Sequence, residues 1–171
     1  MQMSDQRVIQ ADAATVYAAL LDADTLMACV PGASAVDGNP TDGYTATVTQ
    51  KVGPVKATFK GAVTMSDMVE NEKLTIQGEG KGGAAGFAKG GATVTLSAAD
   101  DGGTLLSYDV EAKVGGKLAQ LGSRLIDGFA KKMADQFFVR LQKHLEGPAD
   151  PDAAPEGDEP KKGWLKKLTG N

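Results

Sequence analysis

A single cysteine, Cys29, leaves no partner for an internal disulfide. That fits a reducing compartment, where thiols stay free. There is one histidine, His144, and no metal-ligand spacing around it, so no metal site is expected. No apolar run approaches the ~20 residues that span a bilayer. The start of the chain, Met1 to Arg7, lacks the apolar core of a signal peptide. The net charge of −4 argues against general nucleic-acid binding. Acids occur singly on strand faces or lie in the linker, so no paired-carboxylate site is expected and no catalytic residue is assigned. These absences predict a cytoplasmic protein whose membrane contact, if any, is peripheral.

The 171 residues suffice for one domain with additions. Residues 1–146 have the apolar content to bury a core. Residues 147–160, rich in proline, alanine and acids, read as an extended disordered linker. Residues 161–171 carry the only tryptophan, four lysines and no acid. On a helix, Trp164, Leu165 and Leu168 would share one face, flanked by Lys161, Lys162, Lys166 and Lys167. Two readings stand for this tail: a solvated lysine-rich end, or a basic amphipathic hook for a membrane or partner.

The body changes period along its length. Residues 12–29 read as one or two helices, with Asp12 as N-cap, and Val30-Pro31-Gly32 ends them. From Tyr44 the period is two. Alternation through Tyr44–Val52, Val55–Ser66, Thr93–Ala98 and Leu106–Val114 gives strands with one apolar and one polar face. Turn signals at Asp42-Gly43, Gly53-Pro54, Glu70-Asn71 and Asp101-Gly102-Gly103 space them as hairpins. After Gly115-Gly116, residues 117–145 read as one helix of roughly 40 Å, with Leu121, Leu125, Phe129, Met133, Phe137, Leu141 and Leu145 in every fourth place. Such a row winds around the helix and suits a twisted sheet. The class is α+β, two layers, one antiparallel sheet on one long helix.

Gly78-Glu79-Gly80-Lys81-Gly82-Gly83 matches G-x-G-x-x-G, but no helix is expected to follow, so a dinucleotide site is rejected. Gly78, Gly80, Gly86 and Ala88 lack bulk. They either leave room for a ligand, with Phe87 at its edge, or bend the strands. Cys29 reads as a small apolar filler, and His144 as a cation near a helix C-terminus.

Three segments carry a family resemblance: Cys29-Val30-Pro31-Gly32-Ala33; Val52-Gly53-Pro54-Val55 with Phe59-Lys60-Gly61; and Gly115-Gly116-Lys117-Leu118-Ala119-Gln120-Leu121-Gly122. Over residues 1–145 the chain resembles the carbon monoxide dehydrogenase G-subunit family, within the START and polyketide-cyclase-like superfamily. The resemblance implies a helix-grip fold: a curved antiparallel sheet wrapped on a long C-terminal helix, with two short helices after the first strand. It implies a lipophilic-ligand cavity between sheet and helix, and association with a molybdenum-containing dehydrogenase of bacterial respiration. The apolar faces then assign the lining to Val48, Val52, Phe59 and Val63, to Phe87, Ala88 and Leu96, to Tyr108 and Val110, and to Leu125, Phe129 and Met133. Tyr108 and Gln120 are the candidate polar handles. No covalent cofactor is expected, and the respiratory context makes an isoprenoid quinone the best guess for the ligand. The expected protein is a non-enzymatic carrier or recruiter at the inner face of the cell membrane. A ligand-free adaptor and a cyclase- or hydrolase-like enzyme are the rivals.

Overall fold

The computed structural model describes residues 1–146; the regions assigned to linker and tail, 147–160 and 161–171, lie outside the described residues. The chain runs β1 (Gln2–Ile9), α1 (Ala13–Leu21), α2 (Ala23–Cys29), β2 (Ala33–Asn39), β3 (Gly43–Val52), β4 (Val55–Val69), β5 (Lys73–Lys81), β6 (Phe87–Ala98), β7 (Thr104–Gly115) and α3 (Ser123–Glu146). The seven strands form one antiparallel sheet in the order β1-β7-β6-β5-β4-β3-β2. The meander β2 to β7 needs only short turns. β1 closes on β7 because the pair of short helices carries the chain across. This is the helix-grip arrangement.

Each short helix begins on an aspartate. The Asp12 carboxylate accepts from the Thr15 amide at 2.8 Å. Asp22 accepts from the amide and hydroxyl of Thr25 at 3.1 and 2.7 Å. These bonds hold both carboxyls below the usual carboxylate range, the Thr25 bonds first for Asp22 and the nearby His144 charge adding to them. A folded pKa below the unfolded one stabilises above the carboxylate range and ceases to do so as pH falls through it. Asp22→Ala is therefore expected to lower the melting temperature at neutral pH. The gap to the parent protein should close under acid. A pH series of thermal melts checks both.

Three strands escaped the alternation, each for a visible reason. The inward positions of β1 are Met3, Asp5, Arg7 and Ile9, so charge interrupts the apolar period. β2 is built of small and polar residues. In β5 the apolar face runs Leu74, Ile76, Gly78, Gly80, and glycine erases the signal halfway. The long helix also starts later than expected. Gly116–Leu121 is a 3-10 turn, and Gly122, at φ 92°, breaks it from α3. The 24 residues of α3 span about 36 Å.

The core sits at the C-terminal end of α3. Ile9, Leu74, Leu106 and Leu141 are fully buried there, with Val16 and Leu20 of α1 and Cys29 of α2. Burial pushes the Cys29 thiol up, away from the reactive thiolate, so it acts as filler.

Candidate functional site

The inner face of the sheet is packed at one end and open at the other. At the packed end Tyr108 stacks on Phe138 with ring centroids 4.9 Å apart, and Phe137 meets Phe138 edge-on at 5.1 Å. Burial raises the Tyr108 hydroxyl above its ordinary pKa, with Asp5 adding to it. Leu96 belongs to the same packed cluster. Half-buried Val110 packs against it, so three of the expected lining residues, Tyr108, Leu96 and Val110, form the closed end.

Towards the other end, apolar side chains face one another without burying each other. Val48 of β3, Phe59 and Val63 of β4 and Ala88 of β6 are half-buried. So are Ile126, Phe129 and Met133 on α3, and Leu125 is 39% exposed. Among residues of α3, only Phe138 and Leu141 are buried, both in its last turns. The winding row explains this: the helix meets the sheet tightly at its C-terminus and leaves it towards its N-terminus. The half-buried apolar surface between them is the candidate cleft. Val52, buried, and Gly53, whose turn touches Leu125, bound it at the β3–β4 hairpin.

The glycines divide into two kinds. Gly86 has φ 111°, and a Cβ there would lie 1.9 Å from the Gly115 carbonyl oxygen, so close strand approach requires it. Gly80 has no such demand: a Cβ would meet only the Phe59 Cβ at 3.6 Å, an ordinary contact. Its missing side chain leaves space on the cleft side of the sheet. The residues between Gly78 and Gly83 lie in β5 and a 3-10 turn that leads into β6, so no helix N-terminus stands over the glycines.

Phe87 needs correction. It pairs with Lys81 and Gly115, whereas its neighbour Ala88 pairs with Gly80 and Val114. Successive strand residues point to opposite faces. Ala88 therefore faces the cleft, and Phe87 lies on the outer face with its ring over Gly115. The two cannot line one cavity. Gln120, the second polar handle, is exposed on the 3-10 turn.

A feature absent from the sequence reading is Arg7. Its guanidinium donates to Asp135 at 2.6 Å and sits 5.5 Å over the Phe138 ring, and Lys131 reaches the same carboxylate at 3.2 Å. The charge at an inward position of β1 is the only signal that marked it. This group braces the back of the packed end against β1. His144 approaches Thr25 Oγ1 at 3.4 Å, near the Asp22 cap. Among the described residues no three His, Cys, Asp or Glu side chains gather as a metal site. No described helix is long and apolar enough to cross a membrane.

The model of the carbon monoxide dehydrogenase G-subunit (CoxG) family matches residues 6–146. The chain belongs to that family. No curated protein matches it. Among solved structures, a conserved protein from Geobacillus kaustophilus superposes with a TM-score of 0.79 at 25% identity, covering 85% of this chain and 95% of that one. A START superfamily protein from Mycobacterium smegmatis gives 0.64 at 15% identity, over 85% and 97%. A protein from Chromobacterium violaceum gives 0.62 at 19%, over 85% and 98%. The last two share the fold alone. In this CoxG-family chain the START-like frame is thus combined with half-buried apolar faces on sheet and α3, and the family name points to a carbon monoxide dehydrogenase.

Proposed function

We propose that this protein is a non-enzymatic carrier whose cleft holds a long lipophilic molecule, an isoprenoid quinone. It links a molybdenum-containing dehydrogenase of the carbon monoxide dehydrogenase type to the membrane, with the basic tail, Lys161 to Leu168, as its reversible contact there. The observation that carries the reading is the half-buried apolar surface on the facing sides of sheet and helix. Apolar side chains of β3, β4 and α3 face each other half-buried, and Gly80 withholds bulk where bulk would fit. Apolar surface left open inside a fold is costly unless something covers it. A flexible chain of apolar units suits a cleft whose walls carry few polar groups. The family's name supplies the partner, and a dehydrogenase that feeds respiration needs an acceptor that dissolves in lipid.

Organic extraction of the purified protein followed by mass analysis tests the reading. A quinone at near-stoichiometric amount is expected, or uptake of added quinone by an empty preparation. Gly80→Leu should fill the cleft and lower occupancy at least about tenfold while leaving the protein folded, since its Cβ position is free. A parent protein that neither holds nor takes up quinone would leave the ligand-free adaptor in its place.

A further inference from the structure

The outer face of the sheet, turned away from α3, holds three pairs of lysines in direct register. Lys51 stands opposite Lys56, Lys60 opposite Lys81, and Lys89 opposite Lys113. All six are exposed. Like charges directly across a ladder repel and destabilise the pair. Among the described residues the ion pairs are those of Arg7 and Lys131 with Asp135, and none engages these lysines. Four carboxylates share the face: Glu79, across the ladder from Lys89, Glu111 and Asp109 on β7, and Asp37 on β2. Phe87, 39% exposed, lies within it, opposite Lys81. Each facing pair therefore sets like charge directly against like charge across the ladder.

We propose that this lysine field is a docking surface for an anionic lipid bilayer. The proposal rests on the reading that the protein visits the membrane, and says which face of the body turns towards it. The cations are all lysines, single charges on flexible stems, spread over five strands. Such charges suit many equivalent, mobile headgroups. A fixed carboxylate on a protein favours the planar fork of arginine instead. An exposed aromatic ring among the cations suits the interface between headgroup and acyl chain. Each lysine brought to such a surface strengthens binding about fivefold.

The test uses the full chain carrying Lys56→Glu, Lys60→Glu and Lys113→Glu together. Each change places a glutamate opposite a lysine, so the fold should lose repulsion and its melting temperature should hold or rise. Co-sedimentation is measured with phosphatidylcholine vesicles with and without phosphatidylglycerol. The variant should bind the anionic vesicles at least about 100-fold more weakly than the parent, and neutral vesicles equally. The corresponding three Lys→Arg changes should retain binding. Unchanged binding of the Glu variant overturns the proposal. If Trp164→Ala, Leu165→Ala and Leu168→Ala together abolish vesicle binding while the Glu variant keeps it, the membrane reading survives and this face has no part in it. A parent protein that binds no vesicle overturns both. A Glu variant that keeps vesicle binding but loses capture of the purified dehydrogenase also overturns the lipid assignment, and gives the face to a protein.

Discussion

Gly86→Ala is expected to destabilise the protein by more than about 3 kcal/mol, and Gly80→Ala by less than about 1 kcal/mol. Both are glycine-to-alanine changes in the same stretch, six residues apart, and a sequence reading treats them alike. At Gly86 two costs add. The backbone sits at φ 111°, where an L side chain is strained. The new Cβ would also collide with the Gly115 carbonyl oxygen at 1.9 Å, and Gly116 lies directly behind. Backbone cannot move aside there without breaking the β6–β7 ladder that begins at Phe87 and Gly115. At Gly80 the nearest atom is a side-chain carbon at 3.6 Å, and glycine in a strand is itself a weak choice. Urea unfolding of the two variants measures the difference. Equal losses would mean that Gly80 also serves close strand approach, and the cleft would lose its main support.

Leu141→Ala is expected to cost about 2–5 kcal/mol, the range for a fully buried leucine whose cavity cannot collapse. Met133→Ala, two turns earlier on the same helix, is expected to cost less than about 1.5 kcal/mol. Leu141 is fully buried among Ile9, Leu74 and Leu106. Met133 is only half-buried, so truncating it enlarges an existing space and removes fewer contacts. For a domain of this size, marginally stable by about 5–15 kcal/mol, the first loss is a large fraction of the whole. Chemical denaturation at constant m-value decides it. Equal costs at both positions would show a uniformly packed helix and no cleft. If quinone fills the cleft as proposed, the Met133 variant should also lose part of the stabilisation that bound ligand gives the parent, by mass action.

Much of the frame was legible in residue order. Alternation at Tyr44–Val52 and Leu106–Val114 placed the sheet's inner face, because a strand with one wet side must repeat every two residues. Asp12 ahead of a helical period gave a cap, and the structure adds Asp22 as the second. The winding row from Leu121 to Leu145 predicts a helix on a twisted sheet. Its start was misplaced because Gly122, at φ 92°, separates a 3-10 turn from α3, and composition alone does not distinguish the two turns. Phe87 was misassigned because a glycine-rich approach, Gly82 to Gly86, hides the phase of β6. Without a phase, two adjacent residues can be given to the same face.

Sequence by itself determined the fold class, the family and the apolar face, since periodicity and short motifs are local properties of the chain. Tertiary structure decided which part of that face is packed and which part is open. It also decided that Gly86 obeys the backbone while Gly80 leaves space, and that lysines of five strands meet as three facing pairs. Those outcomes depend on where α3 leaves the sheet and on strand register. Both are set by contacts between residues distant in sequence, which no local pattern records.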